Sequence, residues 1–243
     1  MEAKGDPGSR LVACKDCLGH QIEGVASIAL GIAMNRPLRR VYYNWFSSFY
    51  DRFVNFHSRD KQGLARKFLA DQLPVEEGAS VLDICTGTAT LLSHLLAKVG
   101  LDARVVGVDF SSGMLKVGRD KMKSFVNIHL VEADAGYLPF AAATFDAVTC
   151  SHAFYELKGQ TQDRALREIL RVLRPKGAFL MMEHDVPLNP FVRALFYLRL
   201  AFMGAGRAIS ILRHEQELLG RYFGRVEKVM VPAGRSKILI CWK

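Results

Sequence analysis

After Pro74, short runs of apolar residues alternate with amphipathic stretches, and this alternation is the strongest constraint on the fold. Runs rich in Val, Ile, Leu and Phe are typical of strands that are buried on both faces. Five such runs are Ser80–Cys85, Arg104–Asp109, Val126–Val131, Phe145–Cys150 and Ala178–Glu183. Helical patterns lie between several of them, at Thr88–Val99, Ser111–Met122 and Gln160–Leu173. Strands that alternate with helices predict a parallel sheet covered by helices on both faces.

Two more apolar runs, Val226–Val231 and Ser236–Trp242, predict a closing antiparallel hairpin. The expected fold is therefore an α/β, doubly wound, seven-stranded and mostly parallel sheet. Residues 1–20 are expected to form a loose N-terminus, and residues 21–72 a helical cap segment whose aromatic residues recur at helical spacing. Residues 73–243 then form the main domain, with a helical insertion at about 187–222.

The composition is that of a folded, reduced protein. Half of the 243 residues are hydrophobic and 23% are charged, which excludes a disordered or fibrous chain. The five cysteines are odd in number and scattered, and residues 1–20 carry no signal-peptide pattern, so a cytoplasmic protein is expected. Cys14 and Cys17 lack a second ligand pair at zinc-finger spacing, so no metal site is predicted.

The net charge of +9 is concentrated at the two ends of the chain. Residues 187–243 hold 10 Lys or Arg against 3 Asp or Glu, whereas residues 73–186 are close to neutral. The apolar stretch Phe191–Leu212 has the length of a membrane span, but its three arginines argue against one. Transient contact with an anionic membrane at the inner face is one expectation, and a solvated basic face is the other.

Three carboxylates lie in or after consecutive predicted strands. Asp83 precedes the small residues of Cys85–Thr88, a strand–helix turn of the kind where backbone N–H groups approach a ligand closely. Asp109 ends the second strand, where an acid can accept hydrogen bonds from two ribose hydroxyls. Asp134 follows the third strand and can accept one from an adenine amino group. Each alone also fits a loop carboxylate that caps a helix, but together they indicate a ligand crevice.

The turn departs from the G-x-G-x-x-G spacing of dinucleotide sites. A carboxylate at Asp83 would also repel a pyrophosphate, while it would attract an ammonium group. A cationic ligand is therefore a better expectation than a dinucleotide.

Five segments resemble, in order, the motifs of class I S-adenosylmethionine-dependent methyltransferases. They are Asp83–Ala89, Val106–Ser111, Ala133–Phe140, Phe145–Val148 and Arg171–Gly177. The resemblance covers roughly residues 40–185 and is closest to the ubiquinone/menaquinone C-methyltransferase (methyltransferase type 11) group. It implies a Rossmann-like fold and S-adenosyl-L-methionine as the cofactor. Cys85, Ala89 and Lys176 stand where members often have glycine.

The resemblance also implies roles for individual residues. Asp83 and the turn residues Cys85, Thr86, Gly87 and Thr88 would hold the methionine moiety of the cofactor. Asp109 would bind the ribose, and Phe110 and Met114 would pack against the adenine. Asp134 and Ala135 would contact the edge of the adenine. Ser151 would lie at the sulfonium end of the cofactor, and Tyr50 would close over that end.

Three residues are candidates for the chemistry, namely His152, Tyr155 and His184, which follow the fourth and fifth strands. Methyl transfer needs a base only if the acceptor must lose a proton, and His152 is the favoured base. The alternative for His152 is a histidine that bonds local backbone.

The predicted function is methyl transfer to a lipophilic small molecule, a quinol or phenol-like acceptor. A phospholipid or other amine N-methyltransferase is the alternative within enzymes. A nucleic-acid-associated methyltransferase or binder is the alternative from another class, and the basic ends of the chain favour it. Ser151-His152-Ala153-Phe154 stands where base-methylating enzymes carry Asn/Asp-Pro-Pro-Tyr, which argues against nucleic acid.

Overall fold

The computed structural model describes residues 40–41, 43–44, 47, 63–157, 159–185, 190–191, 194, 214–232 and 236–243. The expected loose N-terminus at 1–20 lies outside these residues, as do most of the cap segment and most of the helical insertion. The described residues between 40 and 47 are helical.

Helices and strands alternate along the described chain. The helices with full bounds are α1 (Leu64–Asp71), α2 (Leu92–Val99), α3 (Ser112–Met122) and α4 (Gln160–Val172). The strands are β1 (Val81–Ile84), β2 (Val105–Asp109), β3 (Ile128–Glu132), β4 (Phe145–Ser151), β5 (Leu173–His184), β6 (Arg225–Met230) and β7 (Ser236–Trp242). A 3-10 turn, Phe154–Glu156, follows β4, and residues 214–220 are helical.

The strands form one seven-stranded sheet in the order β3-β2-β1-β4-β5-β7-β6. β1 to β5 pair in parallel, and β7 runs antiparallel to both β5 and β6. The predicted α/β fold and its C-terminal hairpin are therefore confirmed. The strand order reverses between β1 and β4, and a ligand crevice is expected outside the carboxyl ends of strands at such a switch point.

Two elements begin four or five residues away from their predicted starts, while the other bounds differ by at most two residues. α2 begins at Leu92 rather than Thr88, because the chain from Cys85 to Ala89 forms a turn with left-handed backbone at both of these residues. β5 begins at Leu173 rather than Ala178, directly where α4 ends. Pro175 disfavours helical backbone at the residue before it, so the chain becomes extended earlier than the apolar run alone indicates.

Apolar side chains cover both faces of the sheet. On one face, Leu82 and Ile84 of β1 pack in a cluster with Ile169 of α4. On the other face, Val81 packs with Leu95 of α2. Each fully buried side chain of this size contributes about 1.5–3 kcal/mol of hydrophobic stabilisation. The core thus stabilises the sheet, while polar groups lie at the carboxyl ends of its parallel strands.

Among the described residues, no helix combines the length and the hydrophobicity needed to cross a bilayer.

Candidate active site

The turn after β1 is hydrogen-bonded to the end of β2. The Thr86 N–H donates to the Val108 carbonyl at 2.9 Å, and the Gly87 N–H donates to Asp109 Oδ2 at 2.8 Å. Gly87 has a φ of 55°, and a Cβ built on it would meet no described atom within 4 Å. The turn therefore presents its backbone to open space, as a close ligand contact requires.

All three positions where family members often carry glycine adopt left-handed backbone in this chain. The φ angles are 54° at Cys85, 62° at Ala89 and 65° at Lys176. A left-handed backbone is unfavourable for a residue with a Cβ atom, by about 1–2 kcal/mol. Glycine would adopt this backbone without that cost.

Asp109 joins the two sides of the crevice entrance. Its Oδ2 accepts the Gly87 N–H, and its Oδ1 accepts the Ser111 N–H at 2.9 Å. Burial raises the pKa of Asp109 to about 6, and the two backbone hydrogen bonds oppose that rise. Each carboxylate oxygen can accept a second hydrogen bond, so this arrangement still has room for two ribose hydroxyls.

Asp83 lies inside β1, one strand from Asp109, and is only 2% exposed. The Thr149 hydroxyl of β4 donates to its Oδ1 at 2.7 Å. Burial raises the pKa of Asp83 to about 7, and the side chains of Thr86 and Thr149 only partly oppose the effect. A buried carboxyl group next to neutral hydroxyl groups is well placed to receive a cationic group from the crevice.

The residues predicted to contact the adenine lie near the start of α3 and directly after β3. Phe110 is half-buried after β2, while Met114 and Ala135 are 2% and 6% exposed. Asp134 is half-buried after β3 and accepts the Gly136 N–H at 2.9 Å. Thr88, by contrast, uses its hydroxyl to accept from Lys121 Nζ of α3 at 3.0 Å, so its side chain is committed to that helix.

The described cap residues dock on the same side of the crevice. Asn44 Oδ1 accepts both the Ser111 hydroxyl, at 2.7 Å, and the Gly113 N–H, at 3.0 Å. The Tyr43 ring meets the Phe110 ring edge-on at 5.7 Å, and its hydroxyl donates to Glu156 Oε2 at 2.5 Å. Tyr43 therefore links the end of β2 to the turn after β4.

Tyr50, expected above the cofactor, lies outside the described residues.

The segment after β4 carries the candidate catalytic residues. Ser151 ends β4 and pairs with Met182 of β5. His152 follows with a left-handed φ of 53°, and its N–H donates to the Met182 carbonyl at 2.8 Å. Its ring stacks on that of His184 at 4.5 Å, and its Nδ1 is buried without a hydrogen-bond partner among the described residues.

The imidazole of His152 is held in its neutral form. Burial lowers the pKa of His152 well below its usual range, and positive charge on His184 or Arg66 lowers it further. His184 is exposed, whereas Tyr155 is half-buried in the 3-10 turn. The structure thus brings together the ends of β4 and β5, as the sequence predicted.

The residues present fit S-adenosyl-L-methionine on their own chemistry. The cofactor carries an ammonium group and a sulfonium, and the buried Asp83 supplies a matching carboxylate. Its ribose needs hydrogen-bond acceptors, and Asp109 keeps free acceptor capacity beside an open glycine turn. Asp83, the Cys85–Thr88 turn and Asp109 are the residues that would hold it.

Comparison with known proteins agrees with this geometry. A sequence model of the ubiE/COQ5 methyltransferase family matches residues 35–209. The chain belongs to the ubiE/COQ5 methyltransferase family. The chain is 36% identical to the demethylmenaquinone methyltransferase of Staphylococcus haemolyticus over 171 residues, 70% of each protein. A Staphylococcus epidermidis demethylmenaquinone methyltransferase is 34% identical over the same length and share.

Solved structures support the fold of this ubiE/COQ5 family member. A SAM-dependent methyltransferase from Aquifex aeolicus superposes with a TM-score of 0.56 at 19% identity, over 75% of this chain and 93% of that one. A putative O-methyltransferase from Nostoc punctiforme gives a TM-score of 0.63 at 16% identity, over 93% of this chain and 68% of that one. These two structures support the fold, and the family match together with the curated relatives shows that the chain is a methyltransferase that uses S-adenosyl-L-methionine.

Within the described stretches, no group of three or more His, Cys, Asp or Glu residues could hold a metal ion. Cys14 and Cys17 lie outside them.

Several residues at the crevice were not predicted as site residues. Thr149 and Glu183 are polar residues in apolar strands, and that contrast with their neighbours is a signal in the sequence. Asn44 gives no such signal, because its partner Ser111 lies 67 positions away. The spacing of the aromatic residues around Tyr43 predicts a helix face that packs against the domain. It does not predict that the Tyr43 hydroxyl bonds Glu156.

Proposed function

We propose that this family member transfers a methyl group to a ring carbon of a lipophilic quinol or phenol-like acceptor. The relatives named demethylmenaquinone methyltransferase support the acceptor class. One structural observation supports the chemistry, namely the neutral His152 ring with its unpaired Nδ1 at the carboxyl end of β4. A hydroxylated ring must lose a proton to attack through carbon, and an amine acceptor with a neutral lone pair need not.

The protein contributes mainly by orienting two reactants. The bound cofactor supplies an electrophilic methyl group on a sulfonium. Asp83 would hold its ammonium group and Asp109 its ribose, both close to the residues after β4. Holding reactants in line can lower the barrier by about 7–11 kcal/mol in well-oriented cases.

His152 acts as the general base in this proposal. Its unprotonated Nδ1 would accept the hydroxyl proton of the acceptor as the ring carbon attacks the methyl group, whose bond to sulfur breaks and leaves S-adenosylhomocysteine. The methylated ring carbon then loses its hydrogen as a proton, which restores the aromatic ring, and the hydroxyl oxygen is protonated again. General base catalysis of this kind contributes about 10²–10⁴-fold to rate. Tyr155 and His184 line the same end of the crevice and limit the space that is open to the acceptor ring.

The test is a comparison of three acceptor classes with the purified protein. Production of S-adenosylhomocysteine is measured with a reduced prenylated naphthoquinone, with phosphatidylethanolamine vesicles and with duplex DNA. We expect product only with the quinol, and its loss when Asp109→Ala protein replaces the native protein. Transfer to phosphatidylethanolamine or DNA, without transfer to the quinol, would overturn the proposal.

A further inference from the structure

Glu183 is a buried acid that the chemistry above does not use. It lies next to the end of β5 (Leu173–His184) and is 1% exposed. Its Oε1 accepts the Phe154 N–H at 2.9 Å, and the Tyr155 N–H also hydrogen-bonds this carboxyl group. Burying an acid is unfavourable, so its presence in an apolar strand calls for a reason beyond packing.

The backbone between β4 and the 3-10 turn is strained at His152. Its left-handed φ of 53° is unfavourable for a residue with a side chain. Such a conformation persists only where the surroundings hold it on both sides. The His152 N–H is anchored to the Met182 carbonyl, and the Phe154 N–H, two residues later, is anchored to Glu183.

Both anchors come from consecutive residues of β5, so they form one rigid support. The chain between them has only His152 and Ala153 with which to turn. If the Glu183 anchor were lost, the turn could relax and the His152 ring would leave its stack on His184.

We propose that Glu183 is a positioning residue that holds the turn after β4 and thereby aims the imidazole of His152 into the crevice. This inference rests on the proposed function, in which His152 acts as the base. Glu183 is only 1% exposed, whereas His152 is half-buried, so we assign contact with the acceptor to His152 and a supporting role to Glu183.

The protonation state of Glu183 suits this role. Burial raises the pKa of Glu183 well above its usual range, and the acidic neighbours Glu215 and Glu156 raise it further. A neutral carboxyl group keeps a carbonyl oxygen that can accept backbone N–H groups. Glutamine has the same shape and the same carbonyl oxygen, so Glu183→Gln preserves the anchor.

The experiment compares Glu183→Gln, Glu183→Asp and Glu183→Leu with the native protein. Turnover is measured against pH, cofactor affinity by calorimetry, and the His152 ring by NMR of isotope-labelled histidine. Glu183→Asp retracts the carboxyl group by one methylene, so it tests the anchor even if Glu183→Leu does not fold. The charged or titratable groups that act on His152, His184 from β5 and Arg66 from α1, stay the same in every variant.

We expect Glu183→Gln to resemble the native protein. Glu183→Leu and Glu183→Asp should lower turnover, by up to about 100-fold for Leu, because small misplacements of catalytic groups have effects of that size. Their His152 ring should become hydrated, so its pKa rises and the acidic limb of the turnover profile moves to higher pH. Cofactor affinity should stay unchanged, and adding Glu183→Leu to His152→Ala should cause no further loss of turnover.

An unmoved His152 resonance in both Glu183→Asp and Glu183→Leu would overturn the inference. So would equal losses in Glu183→Gln and Glu183→Leu. If His152→Ala keeps native turnover, the proposed base is wrong, while the NMR comparison still decides whether Glu183 holds the ring.

Discussion

Asp83 lowers the stability of the folded protein at neutral pH. Its pKa is about 7 in the folded protein, against an ordinary value of 3.8. Between these values the folded state binds more protons than the unfolded state, so stability decreases as pH rises through that window. A group that lowers stability at neutral pH is typical of a binding site, where a ligand compensates for the burial of charge.

Replacing Asp83 with asparagine should therefore separate stability from binding. We expect Asp83→Asn to raise the Tm at pH 8, by about 2–4 °C for each kcal/mol gained in a protein of this size. Affinity for S-adenosyl-L-methionine should fall in the same variant, since the charge partner of its ammonium group is lost. Scanning calorimetry and titration calorimetry measure the two effects, with Asp71→Asn, at an exposed ion pair, as the control. A lower Tm together with native affinity would refute this account of Asp83.

The two raised pKa values also predict a pH dependence of cofactor binding. Asp83 and Asp109 titrate near 7 and 6 without cofactor, and only their ionised forms attract a cationic ligand. Affinity should fall as pH decreases through 7 and 6. Titration calorimetry at half-unit steps tests this, and affinity that is flat down to pH 5.5 would contradict it.

Replacing Asp109 should lower cofactor affinity by more than the loss of one ligand contact would, because its two oxygens also hold the backbone of the crevice. Asp109→Ala removes the acceptors of the Gly87 and Ser111 N–H groups. A hydrogen bond to a charged group contributes about 1.5–3 kcal/mol, so affinity for the cofactor should fall at least tenfold. Titration calorimetry with S-adenosylhomocysteine measures this, and equal affinity would remove Asp109 from the site.

At the scale of elements, the described part of the cap segment packs closely against the start of α3. A Cβ added at Gly113 would lie 2.7 Å from Asn44 Cα and 2.8 Å from the Asn44 carbonyl oxygen. Gly113→Ala should therefore push away the residues that bring Tyr43 against Phe110. We expect faster release of S-adenosylhomocysteine from Gly113→Ala in stopped-flow measurements. Gly220→Ala is the matched control, because a Cβ there meets no described atom within 4 Å; identical release rates in the two variants would show that the contact does not retain cofactor.

The elements that the sequence predicted well are those specified by local pattern. β2 and β4 are apolar runs that end in polar residues of the site, Asp109 and Ser151, and β1 carries Asp83 inside such a run. Periodicity therefore locates both the strands and the crevice. The turn at Cys85–Ala89 was predicted as partly helical, because left-handed backbone at a cysteine and an alanine has no signature in composition. The Tyr43–Glu156 bond joins residues 113 positions apart, and no local pattern can predict it.

On the scale of the whole molecule, charge and hydrophobicity are unevenly distributed. Residues 187–243 hold 10 of the 33 basic residues and only 3 of the 24 acidic ones. Phe191, near the start of that region, is 74% exposed. An apolar side chain beside basic residues suits the surface of an anionic membrane, from which a lipophilic acceptor would be collected.

Vesicle co-sedimentation tests this membrane contact. Binding should require anionic lipid, decrease as salt is raised, and weaken when Arg193 and Arg199 become Gln, since each basic residue near the surface contributes about 1 kcal/mol. Lys98→Gln, in the near-neutral middle of the chain, serves as the control. Protein that stays in the supernatant with anionic vesicles at low salt would leave the basic end as an ordinary solvated surface.

The most direct test of the central claim is the position of the transferred methyl group. The protein is incubated with S-adenosylmethionine labelled with ¹³C in the methyl group and with a reduced prenylated naphthoquinone that lacks a ring methyl group. Carbon NMR of the isolated product then distinguishes a methyl group on carbon from one on oxygen. We expect a single labelled methyl group on the quinol ring carbon. Label on oxygen, or an unlabelled quinol from protein that binds the cofactor, would contradict the proposed function.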